Sequence, residues 1–342
     1  VLAQIPASTI ENIEVITNPS AKYDPDGMSG IINIKLKEKG NMGLNGMVNI
    51  SAGSALDKFL PKANGSASVS YSTKKFGFSA SIDGRYDQRG RRSDNLKLLF
   101  GSEPNSLDAW MRSQRDGIEE GYSEGMKLGF DWYINQKNTL TLSYTGRGQN
   151  TISDHTVINN INLIDSMSYR SLDQITDGDR SGQFHTFSLN YQKKFNKPDQ
   201  ELMVDANWNI GRFNRESIQK IDYLNDLFDT DYAFDKKDVT KANDDRAVVK
   251  INYTHPFSKE LRLETGYNLN YSNRHSDYDY YFNGLSERDT ATSYVFHSTE
   301  YIHALYATVG YTHGNWSGQL GLRGEIVRST ATKTMENKAN TS

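Results

Sequence analysis

Phe76–Tyr86 reads FGFSASIDGRY. Its even positions, Phe76, Phe78, Ala80, Ile82, Gly84 and Tyr86, are apolar, aromatic or small. Its odd positions, Gly77, Ser79, Ser81, Asp83 and Arg85, are small, polar or charged. A period of two belongs to a β-strand whose two faces meet different surroundings. The pattern recurs along the chain. Gly65, Ala67, Val69 and Tyr71 alternate with serines, and Met126, Leu128, Phe130, Trp132 and Ile134 alternate with Lys127, Gly129, Asp131 and Tyr133. Leu140–Tyr144, Phe187–Tyr191, Leu202–Ile210, Ala247–Tyr253, Leu261–Tyr271, Leu305–Tyr311 and Leu320–Ile326 repeat it.

Composition narrows the surroundings. Among 342 residues only 36% are hydrophobic and the mean hydropathy is −0.70, yet 11% are aromatic, including 20 tyrosines. So polar a chain would fill a large soluble core poorly, and so aromatic a chain is not disordered. Strands with one apolar face and one wet face reconcile the two. The net charge of −3, with no basic stripe along the chain, speaks against nucleic acid as a partner. The absence of cysteine excludes a disulfide scaffold and thiolate metal sites. No apolar run is long enough for a membrane helix.

The connections are unequal. Tight turns fall at Lys74-Lys75, Asn135–Asn138, Asn196–Asp199, Ser258-Lys259 and Gly314-Asn315. The opposite ends carry long polar excursions, read as loops, at 88–92, 154–179, 223–245 and 276–292. Short turns at one end and long loops at the other characterise outer-membrane β-barrels. Tyr71, Phe76, Trp132, Tyr191, Phe195, Tyr253, Phe257, Tyr311 and Trp316 cluster near the tight turns, where an aromatic girdle at the membrane interface is expected. A soluble β-sandwich also alternates, but its loops are not short at one end only. The fold class expected is all-β, a transmembrane antiparallel barrel, with about eleven strands each crossing in roughly ten residues. Single-chain bacterial barrels have even strand numbers. An odd count and a polar NKANTS ending therefore lead to the expectation that further strands follow. The opening VLAQIPAS similarly suggests a processed or internal N-terminus.

Ahead of the alternating region lies Ile13–Lys37, IEVITNPSAKYDPDGMSGIINIKLK. Two apolar runs flank a turn-rich middle. The apolar-Glu-apolar run Ile13-Glu14-Val15, the Asn18-Pro19 turn, Tyr23, Gly30 and Ile31-Ile32-Asn33-Ile34 resemble the end of the plug domain of TonB-dependent outer-membrane receptors and its junction into their barrel. Gly27 and Gly30 would permit tight backbone geometry between the runs. Ile5–Ser8 followed by Ile10-Glu11 looks like a short helix leading in, with Ser8 as N-cap and Glu11 at the capping-box position. The resemblance is specific over this segment and architectural beyond it. Thr17-Asn18-Pro19 and Tyr23-Asp24 stand where many members have Arg-Gly-Pro and Tyr-Gly.

The resemblance implies a division into residues 1–40, the C-terminal part of a plug, and 41–342, the N-terminal portion of a barrel whose full form has 22 strands. It implies residence in the outer membrane of a Gram-negative bacterium, with lipid as one partner. A TonB-type energy-coupling protein, engaged through an upstream segment, is a second, and a scarce ligand (iron-siderophore, cobalamin, oligosaccharide or peptide) is the cargo. The alternative is a plugless barrel acting as a passive porin or adhesin. An outer-membrane hydrolase needs a nucleophile and base at the rim, and no Ser/His/Asp spacing supports one. No catalytic residue, metal site or cofactor is assigned. For ligand binding the candidates are Asp277, Tyr278, Asp279, Tyr280 and Tyr281, whose rings suit a sugar and whose carboxylates suit a cation; an exposed outer loop has the same composition. Asp173–Asp179 lacks the ligand spacing of a calcium loop and reads as an acidic solvated loop. His297 and His303 share one strand face.

Overall fold

The computed structural model describes residues 10–16, 31–36, 42–55, 59–100, 107–163, 169–225, 232–282 and 288–335. All regular structure among them is strand. A two-stranded sheet pairs β1 (Ile10–Ile16) with β2 (Ile31–Leu36). The remaining strands are β3 (Gly43–Ala55), β4 (Leu60–Ser72), β5 (Phe76–Phe100), β6 (Leu107–Asn135), β7 (Asn138–Leu163), β8 (Tyr169–Lys194), β9 (Glu201–Asn225), β10 (Tyr232–Pro256), β11 (Leu261–Phe282), β12 (Tyr294–His313) and β13 (Trp316–Met335). They form one 11-stranded antiparallel meander in sequence order, with β3 and β13 at its ends. The expected count and topology hold.

Four of the five tight turns have a local cause in a side chain or a glycine. Thr73 Oγ1 accepts hydrogen bonds from the backbone N–H of Phe76 (3.0 Å) and Lys75 (3.3 Å). Asn135 Oδ1 accepts from Lys137 N–H at 2.9 Å, and Ser258 Oγ accepts from Glu260 and Leu261 at 3.1 and 3.0 Å. These side chains satisfy donors that the bend removes from the ladder. Gly314, at φ 59°, takes the left-handed conformation that a two-residue hairpin turn requires.

Register is staggered across the sheet. The row of opposed residues that begins at Phe76, the foot of β5, runs through Trp132, Leu140, Tyr191, Val204, Ile251, Tyr267 and Leu305. It meets β13 at Gly324, well above that strand's foot at Trp316. Strands inclined to the hydrogen-bonding direction are what a closing barrel wall requires.

The strands are longer than expected. β5 to β10 run 25 to 29 residues, and β11 to β13 run 20 to 22. The stretches 88–92, 154–158, 174–179 and 232–245, expected in loops, are strand, as are Asp277–Tyr281. Above the apolar band both faces meet water, so hydropathy no longer alternates, while cross-strand pairs continue the ladder. Ile10 and Glu11, expected at a helix, lie in β1, where Ile10 pairs with Leu36. Pairing with a partner strand overrides the local capping signal.

Candidate functional site

The two faces of the 11-stranded sheet differ in kind. On one, Phe78, Phe130, Leu142, Leu189, Ala206 and Val249 stand opposite one another across six strands. Large apolar side chains here remain open to the surroundings: Leu142 is 40% exposed, Phe187 45% and Trp208 52%. The apolar character gives way at the row Ile82, Met126, Gly146, His185, Ile210 and Asp245, and Asn150, Ser181, Asn214 and Lys241 lie above it. An apolar face this extensive on a solvated sheet would be an aggregation surface; in a bilayer it is the lipid contact.

The aromatics predicted for the girdle sit at the tight-turn end. Phe195 meets Tyr253 edge-on, with centroids 6.0 Å apart, and Lys193 Nζ lies 5.0 Å over the Phe195 ring. The Tyr191 hydroxyl donates to Asn138 Oδ1 at 2.8 Å, and Tyr253 Oη accepts from Gln200 Nε2 at 2.6 Å. Tyr71, Phe76, Trp132, Phe257, Tyr311 and Trp316 are exposed. A ring in apolar surroundings with its polar tip on a turn suits the boundary between lipid and water.

The opposite face is mainly polar, with scattered apolar residues such as Phe184 and Phe213, and is bonded across strands. The Thr186 hydroxyl donates to Asn209 Oδ1 at 2.8 Å, Ser188 to Asn207 Oδ1 at 2.7 Å, and Thr141 to Asp131 Oδ1 at 2.6 Å. Tyr306 lies flat across Gly266 to donate to Asn252 Oδ1 at 2.5 Å. A Cβ on Gly266 would come within 2.3 Å of Ile251 O and 2.6 Å of the Tyr306 hydroxyl oxygen, so only glycine allows the ring through.

Higher on this face the sheet gathers charge that no single strand reveals. Arg85 pairs with Asp87 at 3.2 Å, Arg89 also pairs with Asp87, and Arg91 pairs with Glu119 at 2.7 Å. Arg115 from β6, Arg147 from β7, Arg180 from β8 and Arg215 from β9 line adjoining cavities of about 300 and 200 Å³. Arg180 and Arg215 are directly opposed across the β8–β9 ladder. His155, buried on β7, has its Nδ1 against Gly117 and its Nε2 3.9 Å from Glu119 Oε1. No basic stripe runs along the sequence, and among the described residues the one direct arginine pair, Arg180 with Arg215, is made by register across two strands.

The five ligand-binding candidates are not brought together. The Tyr278 and Tyr280 side chains project to the polar face, and Asp277, Asp279 and Tyr281 to the other. The Tyr278 hydroxyl donates to Asp238 Oδ1 at 2.5 Å, and its ring lies 5.0 Å from that of Tyr294. Burial, the hydrogen bond to Asp238 and that carboxylate's charge raise the Tyr278 phenol above the ordinary tyrosine range; burial, Asp238 and Asp289 raise Tyr280. Asp279 is tied to Arg288, and Asp277 to His275 at 3.1 Å. These partners make the stretch a fastened strand end. His303 Nδ1 is 2.7 Å from the Tyr267 hydroxyl, and the His297 ring is 6.1 Å from His275, so the two histidines serve different neighbours.

Of the residues expected in the plug, Ile13, Glu14 and Val15 on β1 stand opposite Ile34, Asn33 and Ile32 on β2. Asn18, Pro19, Tyr23, Gly27 and Gly30 lie outside the described residues.

A closing sheet with lipid on one face and polar ladders on the other is the wall of an outer-membrane β-barrel, and the chain resides in the outer membrane. Residues 193–342 match the outer membrane protein beta-barrel family. Among solved structures, the chain is similar to the ferric enterobactin receptor PfeA of Pseudomonas aeruginosa, in a mutant complexed with enterobactin. That likeness has 9% identity and a TM-score of 0.32, over 98% of this chain and 80% of that one. It is also similar to the siderophore receptor PirA of Pseudomonas aeruginosa, at 14% identity and a TM-score of 0.22, over 98% of this chain and 89% of that one. No curated protein matches the chain.

Proposed function

We propose that this chain is part of a TonB-dependent outer-membrane receptor that takes up a scarce ligand by energy-coupled movement of a plug, and that it is not an enzyme. The observation that carries the reading is the pairing of β1 with β2 in the register Ile13 to Ile34, Glu14 to Asn33 and Val15 to Ile32, ahead of a polar-faced barrel wall. A passive pore has no use for such a sheet, whereas a gated one needs an element that can be displaced from the lumen. In this reading residues 1–40 end the plug and 41–342 begin the barrel, and the aromatics near the tight turns mark the periplasmic interface. Iron-siderophore, cobalamin, oligosaccharide and peptide remain the cargo classes, and a TonB-type protein is the coupling partner.

The test is uptake of candidate cargo by cells expressing the intact gene, with and without a protonophore. Uptake abolished by collapse of the proton gradient is expected. Uptake indifferent to it, or steady open-pore conductance of the purified protein in planar bilayers, would select the passive porin instead. Surface attachment without any uptake would select the adhesin.

A further inference from the structure

Arg180 and Arg215 face each other directly across two neighbouring strands, on the polar side of the wall. Like charges so placed repel, and a strand pair ordinarily avoids them or sets a carboxylate between. Here none is set. Among the described residues neither guanidinium, nor those of Arg115 and Arg147, has an ion-pair partner, while Asp87 and Glu119 are already engaged by Arg85, Arg89 and Arg91. The carboxylates next to the pair in sequence, Asp179 and Glu216, point to the opposite face by strand alternation. The row through the pair continues to Gly121 and Thr151 on one side and to Thr240 on the other, small or neutral residues that leave the space in front of the guanidiniums open. Arg180 lines both adjoining cavities, and Arg215 lines the smaller of them with it, so the opposed pair faces open space.

We infer that the space in front of this pair is a binding site for a soluble oxyanion, a ligand bearing phosphate or several carboxylate groups, with Arg180 and Arg215 as its clamp. Planar guanidiniums with free donors bind oxyanions in bidentate fashion, and two of them held side by side favour a ligand with more than one charged group. The anion removes the repulsion built into the β8–β9 ladder, so binding and local stability are linked. The inference deepens the uptake reading by giving the cargo a charge, and it rests on the polar face being the lumen.

The test uses the purified intact protein in neutral detergent at low ionic strength, titrated with inorganic pyrophosphate by calorimetry, with melting followed in parallel. Saturable binding is expected, weakened at least tenfold in Arg180→Gln and in Arg215→Gln and unchanged in Arg262→Gln, whose guanidinium pairs with Glu264 near the tight turns. Without anion both clamp variants should melt at or above wild type, and pyrophosphate should raise the melting temperature of wild type and of Arg262→Gln but not of the clamp variants. Absence of saturable binding, or equal affinity in wild type and clamp variants, overturns the inference. Binding of lipid A micelles but not pyrophosphate overturns it too, by making the anion a membrane headgroup. Because binding is read on purified protein, energy-independent uptake with anion binding intact would reject only the uptake reading. Energy-dependent uptake without anion binding would reject only this one.

Discussion

Leu189 and Asn190 are adjacent on β8, and their side chains leave the sheet in opposite directions. Leu189 stands between Leu142 and Ala206 in the middle of the apolar band. Asn190 stands opposite Asp205, to which its amide donates a hydrogen bond. Replacing each in turn by arginine separates the faces with one residue of chain. On a lipid face near the bilayer midplane an arginine costs about 2–4 kcal/mol, and near the interface about 0–1. Leu189→Arg should therefore lower the folded-to-unfolded ratio by roughly 30- to 1,000-fold, at about 1.4 kcal/mol per factor of ten. Asn190→Arg meets water and the Asp205 carboxylate, and should change stability by less than about 0.5 kcal/mol. Tyr191→Arg, nearer the tight turns, should fall between. The assay is reversible guanidinium unfolding in lipid vesicles, followed by tryptophan fluorescence; Trp208, whose ring is 6.0 Å from Phe187, reports on this region. Equal costs for Leu189→Arg and Asn190→Arg, or a larger cost for the second, would refute the assignment of lipid to the apolar face.

Three further outcomes follow from named contacts. Gly266→Ala should destabilise the protein by about 1–3 kcal/mol in urea or guanidinium unfolding, because the new methyl displaces Tyr306 and leaves the buried Asn252 amide oxygen without its donor. The Tyr278 phenol has a raised pKa in the folded state, so its contribution to stability is full below the unfolded value of about 10 and is lost as pH rises through the folded value. Wild type should thus be more stable than Tyr278→Phe near pH 8, with the gap closing in strong alkali. Ultraviolet titration should show that Tyr278→Phe removes a late-ionising tyrosine. A double-mutant cycle on Phe195 and Tyr253 should give a coupling of about 0.5–1.5 kcal/mol, read by thermal unfolding in detergent.

The strand count, the antiparallel order and the tight turns were legible because hydropathy alternates wherever one face meets lipid, and because Asn135, Ser258 and Gly314 carry turn chemistry in their own side chains or backbone. Strand length was not legible. Past Tyr86 on β5 or Ile210 on β9 both faces are wet, polar residues follow polar residues, and the ladder continues without a hydropathy signature. The helix expected at Ile10-Glu11 failed because a capping pattern is local and the partner strand at Leu36 is not. The arginine pair was invisible for a related reason. Arg180 and Arg215 are ordinary in their own strands, and only the register between β8 and β9 makes them neighbours.

The upper wall differs from the lower in what holds it together. Below, the bilayer enforces the arrangement from outside, and salt has little access. Above, a sheet wetted on both sides is held by backbone ladders and by ion pairs such as Arg91 with Glu119, Arg112 with Asp94 and Arg246 with Asp244, which dissolved ions screen. Rising ionic strength should therefore loosen the molecule from its outer rim downward. Amide exchange would quicken first in the exposed collar while the segment in the lipid stays protected. The end of the wall away from the tight turns is thereby the part whose firmness depends most on the salt around it.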